Sequence, residues 1–103
     1  MKRKIGLRRE GTQTMRAIIS VIGNDRKGII AKVCACLYER EVNVLDITQT
    51  LLQEYFTMVM LVDLKDCICS FEALQTALAQ VGQEMGLSIR IQNEELFNAM
   101  HRV

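Results

Sequence analysis

Apolar residues recur along this chain with two different periods, and the order of those periods limits the folds it can adopt. The clearest helical period lies near the C-terminus, where apolar residues are spaced by three and four positions. Ser70 stands before this segment as a helix N-cap, and Gly86 stands after it as a left-handed C-cap. The apolar positions of this predicted helix are Phe71, Leu74, Leu78, Val81 and Met85.

The other segments extend this alternation of strand and helix. Arg16–Ile22 is apolar on both sides and is predicted to be a central strand covered on both faces. A helix is predicted from about Gly28 to Arg40, with a buried face formed by Ile29, Ile30, Val33, Cys36 and Leu37. Asn43–Gln53 and Tyr55–Leu64 have the two-residue period of strands and predict a hairpin. Leu87, Ile89 and Ile91 predict a last strand, and Leu96, Phe97 and Met100 predict a short terminal helix.

The order β-α-β-β-α-β favours a ferredoxin-like sandwich of the α+β class. In this fold a four-stranded antiparallel sheet carries two helices on one face, because crossover connections are right-handed. A short C-terminal helix is expected in addition. The second face of the sheet would be left bare with much apolar area, so we expect a homodimer formed through the sheet face or a sheet edge.

Composition and charge narrow the function classes. Half of the residues are hydrophobic and none is proline, which is typical of a compact globular chain. Its apolar stretches are too short to span a bilayer, and the basic N-terminus lacks the apolar region of a signal peptide. We therefore expect a cytoplasmic protein that does not enter the membrane.

Residues 1–14 differ from the remainder. They carry five of the thirteen basic residues and one acid, so residues 15–103 have a formal charge of −3. We expect a disordered, dispensable N-terminal extension over 1–14 and one domain with a helical tail over 15–103. Met15 precedes the first strand directly and is an alternative translation start. The negative charge of the domain disfavours nucleic-acid binding.

Catalytic and metal sites find little support in the sequence. The cysteines form two Cys-x-Cys pairs, Cys34/Cys36 and Cys67/Cys69, a spacing that is unusual for zinc. Residues i and i+2 of a helix point in nearly opposite directions, so the first pair cannot share one ion. The single histidine, His101, lies on the tail, without a nucleophile placed beside it. We expect reduced cysteines, no metal, no cofactor and no enzymatic activity.

The stretch Gly23–Ile30, GNDRKGII, joins the first strand to the first helix and is the candidate binding loop. Asn24 and Asp25 suit a turn and a helix N-cap, and Gly28 lets the backbone bend or approach another surface. The unpaired N–H groups at the start of the helix favour a carboxylate or phosphate. A capped turn that binds nothing is the alternative at this point.

Two motifs resemble the ACT domain family of small regulatory modules that bind amino acids. They are Asp25-x-x-Gly28-Ile29 after the first strand and Val42-Asn43-Val44-x-Asp46-Ile47 at the second, within a similarity that extends from Met15 to Gln92. Gln53–Met58 and the tail are similar to stand-alone single-ACT proteins of the UPF0237 type. These are akin to the ACT repeats of the glycine-cleavage repressor.

The resemblance implies an amino-acid ligand at a subunit interface. Asp25 matches a position that holds the ligand's amino group, and Gly28 and Ile29 match positions whose backbone N–H groups meet its carboxylate. Asn43 matches a position that reaches across the interface. Asn24 and Asp46 are further acceptors for an ammonium group. Lys27 stands where many members of the family have proline.

We therefore expect a non-enzymatic, homodimeric regulatory domain that senses an amino acid or related metabolite and signals to a protein partner. A purely structural oligomerising module without a ligand is the first alternative. An RNA-binding βαββαβ domain is the second, which the scarcity of basic and aromatic residues on the predicted strands disfavours.

Overall fold

The computed structural model describes residues 15–100. The predictions made for residues 1–14 and for the last residues, including His101, lie outside this range. The elements are β1 (Arg16–Asn24), α1 (Ile29–Glu39), β2 (Asn43–Leu52), β3 (Tyr55–Asp63), α2 (Phe71–Met85), β4 (Leu87–Asn93) and α3 (Glu94–Met100). Their order is the predicted one, with a short helix after the last strand.

The four strands form one antiparallel sheet in the order β2-β3-β1-β4. Two strands that are adjacent in sequence, β2 and β3, form the hairpin, and β1 lies between β3 and β4. A bulge between Val44 and Asp46 shifts the register of β2 against β3. This topology confirms the predicted ferredoxin-like fold.

The hydrophobic core lies between one face of the sheet and the helices. Ile19 of β1, Met58 and Met60 of β3, and Leu74 and Leu78 of α2 are all almost completely buried. No polar or charged residue among the described ones is buried. The core is therefore entirely apolar, and its stability depends on the close packing of these side chains.

Strand β1 is central, but the prediction that both of its faces are covered is wrong for the single chain. Ala17, Ile19 and Val21 face the core, whereas Ile22 on the other face is 51% exposed. Both crossover helices pack on the same side of the sheet, so apolar residues such as Ile22 and Val59 on the second face are exposed when only residues 15–100 are considered. Their apolar character is an observation that points to a partner surface.

Helix α2 begins and ends as predicted. The Ser70 side chain accepts a hydrogen bond from the Ala73 N–H at 3.0 Å, and Gly86 adopts φ = 70° after the last turn. Gly82 in the same helix is required by close packing, because a Cβ at this position would lie 2.6 Å from the Leu87 carbonyl oxygen. This close approach brings α2 against the start of β4.

Helix α1 begins differently from the prediction. Its N-cap is Gly28 with φ = 84°, without a side-chain hydrogen bond, so Asn24 and Asp25 do not cap it. Asn24 still belongs to β1 and pairs with Tyr55, which holds it too far back along the chain. Ile30 is 38% exposed and does not belong to the buried face of α1. The helix is oriented so that Val33, Cys36 and Leu37 face the core, and this orientation places Ile30 at the side of the helix.

Helix α3 is joined to β1 by a two-pronged ion pair. Arg16 Nε and Nη2 donate to Glu94 Oε1 and Oε2 at 3.0 and 2.7 Å, and this contact raises the pKa of Arg16. The Asn93 side chain accepts from the Leu96 N–H at 3.1 Å and caps the helix. Within residues 15–100, no helix is long and apolar enough to cross a bilayer.

Candidate functional site

The loop between β1 and α1 is fixed at two points. The Asp25 N–H donates to the Glu54 carbonyl in the β2–β3 turn at 2.8 Å. The Arg26 guanidinium donates to the Met85 carbonyl at the end of α2, also at 2.8 Å. These two bonds hold the backbone of the loop against two separate parts of the fold, so its amide groups are preorganised.

Arg26 was not among the predicted site residues, and the structure gives it a positioning role. The last turn of α2 contains no basic residue, although cations are favoured at the carbonyl end of a helix. Arg26 supplies that cation from a distant part of the chain. The last turn of α2 has no basic residue in the sequence, but this absence does not identify Arg26 as the donor.

The start of α1 offers backbone donors and open space. It has no side-chain cap and no acidic residue in its first turn, so its first N–H groups lack a competing acceptor of either kind. Ile29 is 3% exposed, and its side chain packs in the hydrophobic core. A Cβ built on Gly28 meets no atom within 4 Å, and Asp25 beside it is exposed.

Two of the six predicted ligand residues lie far from this loop. Asn43 is the first residue of β2 and pairs with Asp63, whereas the loop lies beyond the other end of β2, next to Leu52. Ten residues of strand separate these two ends by about 30 Å. A single chain therefore brings Asn24, Asp25, Gly28 and Ile29 together but does not bring Asn43 or Asp46 to them.

Asp46 is engaged locally. Its Oδ1 accepts a hydrogen bond from the Ile47 N–H at 2.9 Å, next to the bulge in β2. The side chain is exposed, and this local bond already accounts for an acidic residue at this position. Asp46 is accordingly the weakest of the six candidates.

Apolar residues are exposed along the β2 edge of the molecule. Lys32 of α1 forms an ion pair with Glu84 of α2 at 3.5 Å, so α2 lies on the Lys32 side of α1. Ile30 and Tyr38 lie on the side of α1 that faces away from α2. We call the following exposed residues the β2-edge surface: Ile30, Tyr38, Leu45, Ile47 and Leu51.

The open face of the sheet is the second apolar surface. It includes Ile22 of β1, Val59 of β3 and Leu52 of β2, together with threonine, serine and Arg90 side chains. Both surfaces proposed for pairing in the sequence analysis, an edge and a face, are thus apolar and exposed in the single chain.

Other parts of the molecule do not add to the loop site. A groove of about 450 Å³ lies between α2, β4 and α3, at the opposite edge of the sheet, and is lined by none of the six predicted residues. No cluster of three or more histidine, cysteine or acidic side chains suited to a metal ion occurs among residues 15–100.

The chain is similar to known proteins over nearly all of the described range. The profile of a family described as ACT domain matches residues 15–92. A UPF0237 protein of Clostridium acetobutylicum is 53% identical over 89 residues, which are 86% of this chain and 100% of its own length.

Solved structures agree. An ACT domain protein from Streptococcus pneumoniae is 39% identical with a TM-score of 0.72, over 82% of this chain and 96% of that one. The regulatory subunit of aspartate kinase from Thermus thermophilus is 31% identical with a TM-score of 0.61, over 76% of this chain and 51% of that one. A glycine cleavage system transcriptional repressor shares the fold, at 24% identity and a TM-score of 0.67, over 80% of this chain and 47% of that one.

Proposed function

The chain belongs to the ACT domain family, and from this premise we propose that it binds an amino acid or a related metabolite between two copies of itself. The family is regulatory rather than catalytic, and the proposed role is that of a non-enzymatic sensor in the cytoplasm. The proposal depends on one observation. The predicted ligand residues lie at opposite ends of the edge strand β2, so only a second copy paired along this strand could bring them together.

Apart from the bulge between Val44 and Asp46, strand β2 lacks the features that prevent edge pairing. It is ten residues long, contains no lysine, arginine or proline, and has one charged residue, Asp46. Natural edge strands are usually short or carry such residues, because exposed N–H and C=O groups recruit another strand. The other edge strand, β4, has seven residues and carries Arg90. The β2 edge is therefore the favoured dimer surface, and the apolar β2-edge surface beside it would be buried with it.

Pairing of two β2 strands about a two-fold axis would complete the ligand site. In an antiparallel pair whose two-fold axis passes between Ile47 and Thr48, Asn43 of one copy lies opposite Leu52 of the second copy. Leu52 precedes the turn whose Glu54 carbonyl holds Asp25 of the same chain. The length of β2 separates Asn43 from the loop of its own chain, and the two-fold pairing would bring Asn43 close to the loop of the second chain.

The chemistry of the two sides fits an α-amino acid. The uncapped N–H groups after Gly28 suit a carboxylate, and the open space over this glycine lets a ligand approach the backbone. An ammonium group needs acceptors, which Asp25 and the side-chain oxygens of Asn24 and Asn43 can supply. A ligand held by both chains changes the dimer geometry, and a protein partner that contacts the dimer would detect this change.

A panel of the twenty amino acids in a thermal unfolding assay tests the proposal. A ligand that binds only the native dimer adds about 2.7 kcal/mol to the free energy of unfolding at 100 times its Kd. We expect one amino acid, or a few of similar size, to raise the unfolding temperature in a saturable way. A flat response to the panel and to simple α-amino acid derivatives would contradict ligand binding and leave the structural role alone.

A further inference from the structure

Four free cysteines occur in the chain, and three of them lie near one another. The Cys67 and Cys69 sulfur atoms are 3.7 Å apart, which is van der Waals contact. Cys36 lies beside them, and its sulfur is 3.7 Å from a guanidinium nitrogen of Arg40. All four were expected to be reduced, and the spacing alone does not predict the contact between Cys67 and Cys69.

The backbone explains why the second Cys-x-Cys pair converges. A turn after β3 is closed by a bond from the Cys67 N–H to the Leu64 carbonyl at 3.0 Å, and the chain bends at Ile68 and Cys69. The Ile68 N–H donates to the Arg40 carbonyl at 3.1 Å, which fixes the middle of the pair. Ile68 is exposed and both cysteines are half-buried against the edge of the core, so this segment lies at the surface of the molecule.

The first Cys-x-Cys pair is a natural internal control. Cys34 and Cys36 have the same spacing, but they lie within α1, where residues i and i+2 point in nearly opposite directions. Cys36 is buried, and burial raises the pKa of both thiols. A bond between these two sulfur atoms would require the helix to unwind.

We propose that Cys67 and Cys69 form a dithiol site that is oxidised to an intrachain disulfide by exchange with small disulfides such as oxidised glutathione. One thiol loses its proton and attacks the small disulfide, which releases the first small thiol and leaves a mixed disulfide on the protein. The second protein thiol then attacks the protein-bound sulfur atom and releases the second small thiol. The protein loses two hydrogen atoms, and the small disulfide gains them.

Two features favour a disulfide over a metal ion at these residues. The positively charged Arg40 lies beside the thiols, so a cation would be repelled while a neutral disulfide would not. In addition, no group of three or more histidine, cysteine or acidic side chains suited to a metal ion occurs among residues 15–100. Because the ring closed by an i, i+2 disulfide is very short, it adds little stability and remains reducible.

The test compares the two pairs within one sample. The full chain is incubated with oxidised glutathione, its remaining thiols are blocked, and tryptic peptides are read by mass spectrometry. Cleavage after Lys32, Arg40, Lys65 and Arg90 puts the first pair in peptide 33–40 and the second in peptide 66–90. We expect peptide 66–90 to lose two hydrogens roughly tenfold or more faster than peptide 33–40, because its two sulfur atoms are in contact and neither of its cysteines is fully buried, whereas Cys36 is buried.

The unfolded chain and two variants complete the design. In guanidinium the two peptides should oxidise at similar rates, since spacing alone then decides. The C67S variant should retain glutathione on Cys69, and the C34S/C36S variant should oxidise as the unchanged chain does. Equal rates in the native state, a lasting glutathione adduct on peptide 66–90 of the unchanged chain, or a dominant cross-link between the two peptides would each overturn the proposal.

Discussion

Replacing Ile47 with lysine is expected to turn the dimer into a monomer and to abolish amino-acid binding at the same time. Ile47 lies at the middle of β2 and is 39% exposed in the single chain, so part of its side chain is free to contact a second copy. Burial of that exposed part would contribute about 0.6 to 1.2 kcal/mol per chain, or about 1 to 2 kcal/mol per dimer by symmetry. Each 1.4 kcal/mol is tenfold in affinity, and two lysines would in addition have to lose water at the interface, so we expect the dimer dissociation constant to rise roughly tenfold or more.

Sedimentation equilibrium and the thermal panel measure the two effects of I47K. The matched control is I22K, which introduces the same charge at a more exposed isoleucine on the open face of the sheet. This control should remain dimeric and keep the ligand-dependent shift. If I22K dissociates the dimer and I47K does not, the sheet face forms the interface, and the proposed site across two β2 strands is wrong.

Replacing Gly28 with valine is expected to abolish the ligand-dependent shift while the dimer survives. A β-branched residue at φ = 84° is strained, and the left-handed conformation costs about 1 to 2 kcal/mol even before branching is considered. The added side chain would also occupy the space over the first N–H groups of α1. The free energy of unfolding should therefore fall modestly, and ligand affinity should fall by much more.

The G28N variant separates these two effects. Asparagine tolerates the left-handed conformation, so the free energy of unfolding should fall by no more than about 1 kcal/mol relative to the unchanged chain. Its side chain still projects into the space that the ligand would use. Loss of binding in both variants supports a ligand against Gly28. Retention of full binding in G28N would show that the glycine serves only the backbone turn.

The sequence predicted the order of elements well because local signals agree with the tertiary structure at most positions. Ser70 and Gly86 delimit α2 by capping chemistry that depends on neighbours in the chain alone. The errors occur where distant contacts decide. Asn24 was expected in a cap, but pairing with Tyr55 keeps it in β1.

In the candidate site, too, local features could be predicted from the sequence and contacts between distant residues could not. Gly28 could be identified from the sequence because its left-handed conformation is a local property. The anchoring of the loop by Arg26 and Glu54 could not be, since both bonds join residues that are distant in the sequence. The contact between Cys67 and Cys69 depends in the same way on the bond from Ile68 to Arg40.

The most direct test of a site shared by two chains is complementation between two defective variants. G28V removes the loop half of the site and N43A removes the half contributed across the interface, so neither homodimer should bind the amino acid selected by the panel. A purified heterodimer of the two contains one intact site and one doubly defective site. Calorimetry should then find the unchanged Kd with half of the ligand bound per chain. Absence of binding in the heterodimer, or full binding by the N43A homodimer, would contradict a site built across two β2 strands.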